Sequence, residues 1–158
     1  VYSEPGRGAT FKVFLPVLQK RPEKTKAGRR YADKIEGDET ILLVEDNEQV
    51  CRLAHSVLKK SGYRVLVAYD GDTALKLITE RDGLIHLLLT DVVLPVMSGK
   101  ELYEKAVARH PDLKVLYMSG YTDNVIAHRG VLDEGVHFIQ KPFTIKGLTA
   151  KVRKVLDS

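Results

Sequence analysis

Residues 85 to 95, Ile-His-Leu-Leu-Leu-Thr-Asp-Val-Val-Leu-Pro, constrain the chain more than any other stretch, because an apolar run without polar alternation delivers one carboxylate, Asp91, to its far end. Such a run suits a strand buried on both faces, as in a parallel sheet covered by helices. A buried helix segment gives a similar pattern, and Pro95 favours the strand. In open parallel sheets reactive groups gather outside the carboxyl ends of the strands, so an acid where the run stops is placed for chemistry. Taken alone, Asp91 reads more simply as an acid that caps a turn.

The surroundings of the run change that reading. From Thr40 onward the pattern alternates strand and helix five times, the signature of a parallel α/β sheet with right-handed crossovers. Residues 40–45 predict the first strand. Asn47 caps a helix with Val50, Leu53, Ala54, Val57 and Leu58 on its inner face, and Gly62 stops it. The second strand is predicted over 64–68, and its helix runs from behind Asp70 to about Arg81 with Ala74, Leu75 and Ile78 inward. After the Asp91 strand, Ser98 and Glu101 form a capping box that starts a helix reaching about Arg109. Residues 113–118 predict the fourth strand, a short helix follows Thr122, and 136–139 predict the fifth strand. A last helix starts behind Thr144, with Ile145, Leu148, Val152 and Val155 as its buried stripe.

Polar residues stand where these strands stop. Strand one ends in Glu45 and Asp46, strand three in Asp91, strand four in Ser119 and strand five in Lys141-Pro142. In a parallel sheet those ends share one edge. Three converging carboxylates repel one another, and a hard divalent cation such as Mg²⁺ relieves that while favouring oxygen ligands. Lys141 adds a point charge and Ser119 a hydroxyl donor, which together supply what an aspartate needs to accept a phosphoryl group.

Residues 38–158 resemble the receiver domain of two-component response regulators. The matching strings are Leu-Leu-Val-Glu-Asp-Asn at 42–47, Leu-Thr-Asp-Val-Val-Leu-Pro-Val-Met-Ser-Gly at 89–99, Met-Ser-Gly-Tyr at 118–121 and Ile-Gln-Lys-Pro-Phe at 139–143. The resemblance implies a flavodoxin-like (βα)5 doubly wound sheet of strand order 2-1-3-4-5. It makes Asp91 the phosphoacceptor, fed by a phosphohistidine on a histidine kinase or phosphotransfer domain. Mg²⁺ would be held by Glu45, Asp46, Asp91 and the backbone carbonyl of Val93, and Lys141 would contact the phosphoryl group. A cis bond before Pro142 is also implied.

The same resemblance implies a switch. The Ser119 hydroxyl moves toward the phosphoryl group and an aromatic on strand five, here Phe138, swings into the vacated space. That alters the face made by the domain's fourth helix, fifth strand and fifth helix; a homodimer is compatible with it. Phe138 lacks a hydroxyl, so the switch is expected to be muted, and plain core packing explains this residue equally well. Val93 offers no polar group to orient an attacking water and Tyr121 shields the site, so self-hydrolysis is expected to take on the order of hours.

Ahead of this domain the composition changes. Residues 1–37 hold nine Lys or Arg against four acids, net +5, and the remainder sixteen against seventeen, net −1. The basic balance therefore belongs to the leading segment and does not indicate nucleic-acid binding by the domain. Residues 3–18 read as a glycine turn and a strand in which Phe11, Val13 and Leu15 alternate with other residues. They resemble the closing glycine box and last strand of the ATP-binding domain of sensor histidine kinases, with Gly6, Gly8, Thr10, Phe11, Leu15 and Pro16 matching and Ala9 departing. Residues 1–18 are thus expected to be a remnant of that domain, and 19–37, with Lys20, Arg21, Lys24, Lys26, Arg29 and Arg30, a basic linker. The remainder of an ATP site would lie upstream, so neither ATP binding nor kinase activity is expected of these residues. The parent would be a hybrid sensor kinase with the receiver at its carboxyl end.

Cys51 is the single cysteine and cannot close an internal disulfide, and no run is long enough to span a bilayer, so a cytoplasmic setting is expected. His55, His86, His110, His128 and His137 lack metal spacing with Cys51 and read as surface or packing residues. A haloacid-dehalogenase-type phosphatase also forms an aspartyl phosphate, but it needs a second Asp where Val93 stands. A phosphorylation-independent interaction module with the same fold is the other rival.

Overall fold

The computed structural model describes residues 2–4, 8–10, 12, 37–81, 83–120 and 137–158. The chain divides into two units, Val1–Asp33 and Lys34–Ser158. In the first, β1 (Tyr2–Glu4) pairs antiparallel with β2 (Gly8–Thr10). Gly8 opens β2 at φ 79°, a left-handed value that a side chain disfavours. The strand expected around Phe11, Val13 and Leu15, and the basic linker up to residue 36, lie outside the described residues.

The second unit is a five-stranded sheet with helices on both faces. Its strands are β3 (Thr40–Val44), β4 (Arg64–Ala68), β5 (Leu87–Asp91), β6 (Lys114–Ser119) and β7 (His137–Gln140). They lie in the order β4-β3-β5-β6-β7, all neighbours parallel. Counted within the unit this is the 2-1-3-4-5 order expected, that of a flavodoxin-like doubly wound sheet. Four helices are described: α1 (Glu48–Lys60), α2 (Gly71–Glu80), α3 (Gly99–Val107) and α4 (Ile145–Leu156).

Strand pleating divides the core in two. Ile41, Leu43, Leu87 and Leu89 face one side with Cys51, Ala54, Val57 and Leu58 of α1 and Leu148, Val152 and Val155 of α4. Leu42, Val44 and Leu88 face the other, against Ala74 and Ile78 of α2 and Leu102 and Ala106 of α3. Because successive side chains of a strand point to opposite faces, only a run apolar at every position can feed both layers. The stretch leading to Asp91 is that run.

Local chemistry sets the helix ends. The Asn47 side chain accepts from the amides of Gln49 and Val50, that of Asp70 from Thr73, and that of Thr144 from Gly147. Ser98 and Glu101 close a full capping box on α3. The fourth strand of the domain starts at Lys114 because the Leu113 amide turns back to the His110 carbonyl at 3.0 Å. The fifth spans His137–Gln140. The helix expected after Thr122 falls on residues 121–136, outside the described ones.

Two expected core residues are not core. Leu53 is 48% exposed and Ile145 63%. The buried arc of α1 is centred between Ala54 and Leu58, and at about 100° per residue Leu53 lies roughly 110° from that centre. Ile145 opens α4 beyond the end of the strands, and the buried stripe starts one turn later at Leu148. No helix among the described residues is long and apolar enough to cross a membrane.

Candidate functional site

Where β3, β5, β6 and β7 end, the sheet gathers the polar residues that the sequence sets apart. β3 delivers Glu45, fully buried, and Asp46, exposed; β5 delivers Asp91, partly buried. A carboxylate oxygen of each lies within 4.8 Å of the other two. Lys141, one residue past β7, reaches back across two strands. Its Nζ donates to Asp91 Oδ2 at 2.7 Å and to Glu45 Oε2 at 3.0 Å. The peptide joining Lys141 to Pro142 is cis, as expected, and the Lys141 amide donates to the Ser119 carbonyl at 2.6 Å.

The charges do not balance. Burial pushes the Glu45 carboxyl above its ordinary value even though Lys141 draws it the other way. Burial likewise works against the Lys141 ammonium, but the hydrogen bonds from Asp91 and Glu45 prevail and hold it above its ordinary value. Lys141 therefore stays charged while facing more negative charge than it can neutralise. Two backbone amides also donate: Asn47 to Glu45 Oε1 at 3.3 Å and Val93 to Asp91 Oδ1 at 3.4 Å. Three hard oxygen ligands that close together, with one cation between them, fit a divalent metal of the Mg²⁺ type.

The other expected residues are arranged less tightly. Ser119 is buried at the end of β6, in register with Gln140. Phe138 is half-buried, pairs with Tyr117 and packs against the cluster of Val92 and Tyr117, with Lys151 Nζ 5.8 Å from its ring centre. It lies two pairs of the ladder before Ser119, apart from the carboxylates. The loop after β5 is tied by a bridge between Val93 and Ser98. Tyr121 and His128 are outside the described residues. The other histidines are half-buried, and His86 accepts the Thr40 amide on Nδ1 at 3.1 Å, a packing role. Cys51 is buried, which pushes its thiol up.

The role of Gly99 escaped the sequence reading. A Cβ on Gly99 would run into the Asp91 carbonyl oxygen and meet Thr90 Cγ2 at 3.0 Å. Only glycine lets the first turn of α3 sit on the main chain of Asp91. The signal was there in Ser98-Gly99, a glycine inside a capping box, where a helix has no conformational need of it.

Comparisons agree with this geometry. Residues 41–153 match the family model described as response regulator receiver domain. The sensor kinase CckA of Brucella abortus is 35% identical over 98% of this chain, which spans 17% of that protein. The receiver protein CpdR of the same organism is 32% identical over 73% of the chain and 95% of its own length. Among solved structures, the receiver domain of the hybrid histidine kinase CckA is 37% identical with a TM-score of 0.63, covering 74% of this chain and 98% of that one. The acidic cluster where the strands end lies within the matched residues, and the chain belongs to the response regulator receiver domains of two-component systems.

Proposed function

We propose that Asp91 is the phosphoacceptor and that its donor is a phosphohistidine on a histidine kinase or phosphotransfer partner. One observation carries the reading: Asp91 stands within 4.8 Å of two further carboxylates and 2.7 Å from the Lys141 ammonium. In the transfer a carboxylate oxygen of Asp91 attacks phosphorus, the phosphorus–nitrogen bond breaks, and the imidazole leaves with the bonding pair and takes up a proton. The rate depends on positioning and on neutralising charge on the phosphoryl oxygens. Lys141 would release Asp91 and donate to one such oxygen, and the Ser119 hydroxyl to another. Glu45, Asp46, Asp91 and the Val93 carbonyl would hold Mg²⁺, which when bound supplies the positive charge that lets anionic donor and acceptor approach.

Switching would run through Ser119 and Phe138, along β6 and β7 toward α4. Residues 1–18 would be the end of a kinase ATP-binding domain and 38–158 the receiver of a hybrid sensor kinase. Supporting this, the similarity to CckA extends over 98% of the chain while the receiver similarity to CpdR covers 73%. The parent would act in the cytoplasm, where its phosphohistidine donor is formed.

The test is intact mass after incubation with acetyl phosphate, with and without Mg²⁺, on wild type and Asp91→Asn. A single phosphoryl adduct that needs both Mg²⁺ and Asp91 is expected. A folded wild type that takes no adduct would instead favour a phosphorylation-independent interaction module.

A further inference from the structure

The loop between β5 and α3 contains the one conformation among the described residues that its side chain should resist. Val96 has φ 72°, in the left-handed region. The Met97 amide donates to the Pro95 carbonyl at 2.9 Å across it, closing a three-residue turn of the rare, strained hand. A β-branched residue is the least suited to that hand. Nor does packing of Val96 itself compensate, since the residue is 92% exposed. Strain of this kind persists only where neighbours over-determine it, so something beside Val96 must hold the turn.

The neighbour is Met97. Its side chain is buried in the core layer of α2 and α3. It occupies the space where Gly71, the first residue of α2, would carry a Cβ: Sδ lies 2.5 Å, Cγ 2.6 Å and Cε 3.0 Å from that position. Gly71 has no left-handed φ, so its backbone does not require glycine; the seated Met97 does. The other end of the loop touches the acceptor. Val93 amide points at Asp91 Oδ1, Val93 bridges to Ser98, and the Gly99 amide donates to the Val92 carbonyl at 3.0 Å.

We propose that Met97, seated in the notch left by Gly71, is a positioning residue for the acceptor site: it holds the strained turn at Val96 and thereby fixes the Val93 amide and carbonyl against Asp91. The inference rests on Asp91 being the acceptor. It links the first residue of α2, two strands away, to the geometry at β5 through one flexible side chain. Met97 acts through Val93 and does not itself touch the reacting atoms.

Gly71→Ala tests it. The backbone accepts alanine and the obstructing atoms are the far end of a flexible chain, so the domain should still fold while Met97 is evicted, with a melting temperature lowered by the loss of its burial. The expected results are uptake from acetyl phosphate slowed about tenfold or more, a higher Mg²⁺ concentration for half-maximal uptake, and faster hydrogen exchange at the Val93, Met97 and Gly99 amides. Met97→Ala should show the same loss, Met97→Leu should retain most of the wild-type rate, and Gly71→Ala should add nothing in the Met97→Ala background. Wild-type uptake and exchange by folded Gly71→Ala would overturn the proposal. So would an equal further loss in the Met97→Ala background, or a Met97→Ala protein that matches Met97→Leu. Should wild type itself take no phosphoryl group, the acceptor reading fails, and the exchange of the three amides then decides the positioning role by itself.

Discussion

The two ends of the sheet both hold ionised side chains, and they do so in opposite ways. At the amino end Arg153 of α4 binds Glu39 at 2.8 Å and Asp157 at 2.7 Å, beside the buried ring of Tyr63. These are ordinary ion pairs, partly open to solvent. At the carboxyl end Lys141 is shared between Glu45 and Asp91, with Asp46 close by, and the pairs are far less exposed. The first arrangement sets one cation against two carboxylates, one of them largely in solvent, and fastens α4 to the start of β3. The second carries a surplus of negative charge in a partly dry place, which costs stability and leaves an appetite for cations. The lesson is that a larger excess of charge held in a drier place separates a site from a strut.

The contrast can be tested by substitution, beginning where the effect should be largest. Asp91→Asn, the control above, should abolish uptake yet melt no lower than wild type, because it lessens the surplus. Lys141→Met should instead enlarge the surplus, leaving buried Glu45 and partly buried Asp91 without their cation at a cost of about 3 kcal/mol in denaturant unfolding. An unchanged unfolding midpoint would show that the carboxyl end does not rely on that ammonium.

Glu45→Gln sharpens the comparison through pH. Burial raises the native pKa of Glu45 above its value of 4.5 in the unfolded chain, so the folded state binds the proton more tightly. Stability is then greatest below 4.5 and falls as pH rises through the raised native value. Glutamine removes that fall, and the variant should be more stable than wild type at pH 7, on the order of 1 kcal/mol. Parallel stability curves for the two proteins between pH 4 and 8 would contradict this.

Arg153→Gln probes the amino end with the opposite sign. Burial pushes Glu39 up, but the hydrogen bond from Arg153 outweighs it and the carboxyl lies below its ordinary value. That contribution is complete above 4.5 and is lost as pH falls through the depressed native value. The variant should lose about 1 kcal/mol at pH 7 and almost nothing under acid, with phosphoryl uptake unchanged. The smallest effect belongs to Ile145→Ala, within about 0.5 kcal/mol because the side chain is largely in solvent. A loss as large as Leu148→Ala would produce, about 2–5 kcal/mol, would return Ile145 to the core.

Much of this molecule was legible before any coordinates. The two-sided apolar runs of β3 and β5 and the caps at Asn47, Asp70, Ser98 and Thr144 emerged as expected, since each follows from local periodicity or hydrogen-bonding chemistry, and the strand order is the one that the family resemblance implied. The same strand ends named Glu45, Asp46, Asp91, Ser119 and Lys141. Leu53 and Ile145 were misjudged because helical spacing identifies an arc of a helix without saying where the sheet beneath it ends. Gly99 and Gly71 were overlooked because a glycine's purpose is set by what approaches it through space.

The sequence by itself determined which residues are carried to the carboxyl edge, because alternation along strands and turns along helices are properties of neighbours in the chain. Only the tertiary structure decided that Lys141 bonds Asp91 and Glu45 together, that α3 presses on the Asp91 main chain through Gly99, and that Met97 fills the place of a side chain on Gly71. Those contacts join residues from 8 to 96 positions apart, and their energies depend on burial and close packing, which exist only once both core layers have formed.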